Sequence, residues 1–267
     1  MIGLDHATLG VLVLLAITIL PVLYYIAQAR AGRSYDVRRI AGIDAIDEAV
    51  GRTAEIGRPA SFSTGLTGVG PVLYACLGVL YYICRKSSKY KTKVLIPQND
   101  PEVMAIVEDV ARDAYRAEGN SQLFDPKNVL YLSNEQFAFA AGYMGMIQRE
   151  QTGAAFLFGA FAAESLLLAE AGQQVGAMQV GASVSPEQVA FFICTCDYTL
   201  IGEELFAASA YLTKEPVQLG SLIAQDRAKL LFFILIIIGV IISTGNSIGI
   251  WHDIPNIDSW LYWEAWK

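Results

Sequence analysis

Two groups of residues in this chain have the types and spacing to do chemistry. The first is Gly65-Leu-Thr-Gly68-Val-Gly70, three glycines expected in a strand-to-helix turn. Backbone N–H groups in such a turn can cradle a phosphate at the start of the helix. The spacing is neither G-x-G-x-x-G nor a Walker A loop, Pro71 removes one donor, and no Lys-Ser/Thr pair follows. A plain tight turn is therefore the favoured reading, with nucleotide binding as its rival. The second group is acidic: Glu164, Asp197, Glu203 and Glu204, each expected at the carboxyl end of a strand. Two carboxylates on neighbouring strand ends can hold Mg²⁺ or Ca²⁺, or act as an acid/base pair. The simpler reading is favoured for Glu164 and Asp197: acids in a helix's first turn meet free N–H groups and suit the helix dipole.

Other chemistries are excluded by composition. Histidine is absent from the middle of the chain; only His6 and His252 occur, near its ends. That removes His-based general-base catalysis and most zinc chemistry. The serines lack a G-x-S-x-G elbow. Cys194 and Cys196 fall on one face of an expected strand, with no second ligand pair at zinc spacing. Together with Cys76 and Cys84 of an apolar helix, they read as buried reduced thiols. No catalytic residue, cofactor or metal site is expected. The net charge of −7 leaves no basic footprint for nucleic acid.

The elements that must position these residues alternate regularly from residue 58 to 212. Strands are expected at 60–63, 94–97, 129–132, 154–161, 177–181 and 191–197, each followed by a helix. Asp100-Pro101, Ser133 to Gln136 and Ser185 to Gln188 supply helix starts, the last two as capping boxes. Six strand–helix units predict an α/β fold: a mostly parallel sheet with helices on both faces. The strands are continuously apolar, as buried parallel strands are. Ligands of such sheets bind outside the strands' carboxyl ends. Ile40, Ile43, Ile46 and Ala49/Val50 mark one face of an amphipathic helix within 35–58, packing on the domain or, alternatively, lying on a membrane surface.

Apolar runs bracket this domain. Leu9 to Ala27 and Leu230 to Ile242 each extend to about 20 residues, enough to cross a hydrocarbon core of about 30 Å. A hydrophobic share of 54% agrees with them. Met1 to Thr8 has no Lys or Arg, so the first run reads as a retained anchor rather than a signal peptide. The expected organisation is an N-terminal transmembrane anchor (1–29), a cytoplasmic α/β domain (35–226), a C-terminal transmembrane helix (227–250) and an aromatic tail (251–267). Arg30, Arg33, Arg38 and Arg39 follow the first run, and Arg227 and Lys229 precede the second. The positive-inside rule then puts the domain in the cytoplasm and both termini outside. Leu66 to Cys84 is long enough for a third span, but the rule favours a buried domain helix over Gly70 to Lys86, covered by the sheet on one side and by another subunit or the membrane surface on the other. Trp251, Trp260, Trp263 and Trp266 suit the headgroup level of a bilayer.

Three blocks carry a resemblance: Ala45-Ile-Asp-Glu-Ala-Val-Gly-Arg52, Gly159 to Gly172, and Cys196 to Leu212. They resemble a family of prokaryotic membrane proteins of uncharacterised function, over most of residues 35–230. The resemblance implies that the middle is one unit, and brings no activity or site residue; the expected location is a prokaryotic plasma membrane. The expected function is a non-enzymatic, membrane-anchored scaffold, homo-oligomeric through the domain and the Gly70–Lys86 helix, with membrane lipid as its other partner. A membrane-tethered ligand- or nucleotide-binding domain, enzymatic or not, is the alternative. A transporter or channel subunit is the weaker third, since neither anchor carries a central charge.

Overall fold

A computed structural model describes residues 9–32, 41–213 and 215–248. The chain divides into two compact units, one holding the first and last helices and the other everything between them.

The larger unit is α/β. Its helices are α2 (Ala41–Ile56), α3 (Pro71–Tyr90), α4 (Pro101–Ala117), α5 (Gln136–Glu150), α6 (Ser165–Gln174), α7 (Pro186–Thr195) and α8 (Glu204–Thr213). Its strands are β1 (Ala60–Gly65), β2 (Val94–Gln98), β3 (Val129–Tyr131), β4 (Ala154–Ala160), β5 (Met178–Ser183) and β6 (Tyr198–Ile201). The strands form one sheet in the order β3-β2-β1-β4-β5-β6, and every pairing is parallel. The chain winds outward from β1 to β3, crosses back through α5, and winds outward again from β4 to β6. The reversal lies between β1 and β4.

Side chains alternate across the strands and divide the core in two. Phe62, Ile96, Phe156, Phe158, Val180 and Leu200 face α2, α3, α4 and α8. Leu95 and Leu157 face α5, α6 and α7. The amphipathic stripe of α2 packs on the domain, with Ile43, Ile46, Ala49 and Val50 buried.

The apolar helix α3 is a domain helix whose inward stripe is covered by its own chain, while Tyr74 stays exposed. Leu73, Cys76, Val79, Leu80 and Ile83 are fully buried, and α4 and α8 flank the helix across from the sheet. Burying each such side chain contributes about 1.5–3 kcal/mol. Gly78 lets α8 approach: a Cβ there would stand 2.1 Å from Ser209 Oγ.

The last strand lies elsewhere than its residues suggest. Phe191 to Thr195 are rich in aromatic and β-branched side chains, yet they continue α7, and the strand is Tyr198–Ile201. Ser185-Pro186 fixes the helix start, and burial of Val189 and Phe192 holds the helix on β5 and β6. Cys194 is consequently exposed and shares no strand face with Cys196, which is half-buried. Cys76 and Cys84 are buried. Of the helix starts, Asp100 caps as expected, accepting from the N–H of Glu102 at 2.8 Å. Ser133 and Ser185 make no capping box. α5 begins only at Gln136, and the Ser185 hydroxyl donates to Glu187 instead.

The smaller unit pairs α1 (Leu9–Arg30) with α9 (Pro216–Ile248). Residues 216–229 and the last apolar run form one continuous helix of 33 residues, about 50 Å long. Gly220 brings the two backbones together; a Cβ there would lie 2.7 Å from Ile26 Cα. Both helices are long and apolar enough to cross a membrane, and their apolar windows are almost wholly uncovered. The tryptophans expected at an interface, Trp251, Trp260, Trp263 and Trp266, lie outside the described residues.

Candidate functional site

Reversal of the winding between β1 and β4 creates the crevice where sheets of this kind bind ligands. The glycine turn lies there, after β1, facing the end of β4. Its geometry is that of a stitched turn. The N–H of Leu66 donates to the Ala160 carbonyl at 2.8 Å. The Thr67 hydroxyl donates to the Thr64 carbonyl and accepts from the N–H of Ala160. Gly65 (φ 61°) and Gly159 (φ 149°) permit this crossing. A Cβ at Gly65 would meet the Ala160 carbonyl and the Phe161 ring at 2.5 Å; one at Gly159 would stand 2.3 Å from Thr67 Oγ1. The N–H groups of Gly65, Leu66 and Thr67 are all engaged within the protein. Only the turn from Gly68 onward faces open space, and Pro71 adds no donor.

The acids separate. Glu164 is fully buried beside the crevice, accepting from Gln136 Nε2 at 2.5 Å and from the N–H of Ala162 at 3.0 Å. Glu203 and Glu204 also follow a strand end, and Glu204 closes its turn by accepting from the N–H of Ile201 at 2.9 Å. Asp197 does not join them. It precedes β6, because the strand begins at Tyr198, and so lies at the opposite, amino edge of the sheet. There its carboxylate accepts from the N–H of Gln179 at 2.7 Å. It lines a cleft of about 250 Å³ with Arg52, Gln173 and Gln179. The expected pairing of Asp197 with Glu164 is therefore absent. Among the described residues, no three His, Cys, Asp or Glu side chains converge as metal ligands.

Buried amides form a polar layer that sequence reasoning missed. Gln98 ends β2; its Oε1 accepts from Thr64 Oγ1 at 2.7 Å, while its Nε2 has no partner. Gln188 of α7 accepts from Ser165 at the start of α6. The only signal for Gln98 is a polar residue closing the apolar run Val94-Leu-Ile-Pro97.

The rim around this layer is apolar and acidic. Tyr74, Phe137 and Ile201 are 61%, 63% and 52% exposed, and Val69 projects beside them. Seven acids lie at this edge: Asp100, Glu102, Glu135, Glu164, Glu187, Glu203 and Glu204. Every described Lys and Arg of the unit, from Arg52 to Arg149, lies instead in the later half of a helix or in a connection entering a strand. The helix dipole favours this segregation, and each helix N-terminus supplies about half a positive charge. Six N-termini, α3 to α8, offset roughly three of the seven carboxylates, so the carboxyl edge stays negative.

The DUF6754 family, described as a domain of unknown function, matches residues 3–253. This chain belongs to that family. The match takes in α1 and α9 as well as the sheet, so the DUF6754 unit comprises the apolar helices together with the α/β domain. No curated protein and no solved structure matches the chain.

Proposed function

We propose that this DUF6754 protein is a membrane-anchored, homo-oligomeric assembly protein whose α/β domain docks rather than catalyses. The observation that carries the reading is the carboxyl edge of the sheet. Val69, Tyr74, Phe137 and Ile201 are each exposed along that edge, in a negative field with no described Lys or Arg, and we read them as docking contacts. A phosphate would meet that field unfavourably. The two uncovered apolar helices support anchoring, since their surface has lipid as its natural solvent. The arginines after α1 and the basic pair within α9 support a cytoplasmic domain in a prokaryotic plasma membrane, with both termini outside. The test is the mass of the full-length protein solubilised in detergent. An assembly of several copies is expected; a stable monomer of 29.0 kDa plus detergent would overturn the reading.

A second reading has its own observation. The strand order is that of dinucleotide-binding sheets, and the Gln98 amide is buried without a partner at the crevice edge. Binding of a small ligand there predicts a thermal shift with some nucleotide or divalent cation. No shift across such a panel would end it.

A further inference from the structure

The sheet's two edges differ in charge: the carboxyl edge is acidic and the amino edge holds all the unit's described cations together with acids. The amino edge carries exposed Ile56, Tyr90 and Leu123, together with Lys91 and Lys127, which have no ion-pair partner among the described residues. The carboxyl edge carries exposed Tyr74, Phe137 and Ile201, with Glu102 and Glu135 likewise unpaired. A two-fold pairing of carboxyl edges would set acid against acid, and like charges across an interface are costly. A head-to-tail contact sets the acidic edge against the mixed-charge amino edge, where Lys91 and Lys127 stand with acids such as Asp125, and covers apolar surface on both sides.

We infer that copies of this chain stack head to tail, the carboxyl edge of one α/β domain seated on the amino edge of the next. The inference rests on the assembly reading above and adds the surfaces and the symmetry. Because the two surfaces differ, the contact is heterologous, and it closes into a ring or runs on as a filament.

The experiment is a charge exchange in the full-length protein in detergent, read by particle mass. Neither Glu102 nor Glu135 makes a side-chain cap, so the double variant Glu102→Lys/Glu135→Lys leaves the helix starts α4 and α5 intact. Each of Glu102→Lys/Glu135→Lys and Lys91→Glu/Lys127→Glu is expected to reduce the assembly to monomers. The variant with all four exchanges restores complementarity and should regain the wild-type mass, which a folding defect would not allow. Assemblies untouched by either double variant would overturn the stacking and leave the assembly reading standing. Loss in both without recovery in the fourfold variant would show that the edges do not face each other, and would also overturn it. A monomeric wild-type protein would remove both.

Discussion

α3 and α9 are both rich in Leu, Ile and Val, yet one lies inside protein and the other outside it. The difference is arrangement. Around α3, Leu73, Cys76, Val79, Leu80, Ile83 and Cys84 recur at spacings of three and four, while Tyr74 and the basic last turn break the apolar surface. α9 from Leu230 to Ile242 is apolar all round, and among the described residues of α9 only Gly220, Ala224 and Gly245 are buried. α1 has the same character, with Ala29 alone buried. An apolar stripe calls for a protein neighbour and an apolar cylinder for lipid. Length alone would have placed all three helices in a membrane.

Thiol chemistry gives the contrast its largest readout. Burial pushes the Cys76 and Cys84 thiols of α3 up to about 12, and Cys76 also donates to the Phe158 carbonyl. At pH 8 only about one in 10⁴ of such thiols is thiolate, against roughly a quarter for an ordinary cysteine. Cys194 is exposed and should react with a disulfide reagent at least about 10³-fold faster. Comparable rates would mean that α3 is not enclosed.

Truncation comes next. Leu80→Ala should cost the domain about 2–5 kcal/mol in denaturant or thermal unfolding. Ile236→Ala, on uncovered α9, should leave domain stability within about 0.5 kcal/mol. Equal costs would erase the distinction. Gly78→Val tests the tightness of cover from the other side: crowding Ser209 should cost about 1–3 kcal/mol. A neutral result would show α8 free to move away.

The smallest effect is electrostatic. Arg85 and Lys89 of α3 hold the Glu118 carboxyl below the ordinary carboxylate range. A carboxyl so depressed adds stability above its unfolded value, and that contribution is lost as pH falls through its folded value. Glu118→Gln should therefore lower the thermal midpoint most at pH 7, and by progressively less as pH falls through the acid range. The size is at most about 1 kcal/mol, since both cations are solvent-exposed. An identical shift at every pH would assign Glu118 a packing role instead.

Much of this was legible because local rules agreed with the fold. Five strands are short runs between turns and lie where the sequence predicts them, although β1 and β5 carry Ser, Thr and Gln. The reading of α3 as a domain helix followed from where the charges lie, not from its apolarity. β6 was missed because Tyr198 to Ile201 is a half-exposed edge strand, while the β-prone residues before it were held helical by burial of Phe192. That one displacement moved Asp197 across the sheet. The bonds of Gln98 to Thr64, Gln136 to Glu164 and Gln188 to Ser165 were invisible for another reason: a glutamine looks the same in sequence whether it is dissolved or buried, and only the fold brings each to its partner.

The joint between β1 and β4 also sets a schedule. Ala60 pairs with Ala154, 94 residues later, and no other pairing ties the first three strands to the last three. At about 5–20 residues per second, a ribosome needs some 5–20 seconds to pass from one partner to the other. For that interval β1 offers an open edge of unmatched backbone donors and acceptors. Early life for this domain is a wait beside other nascent copies, and whatever shields that edge then decides whether the sheet closes on itself or on a neighbour.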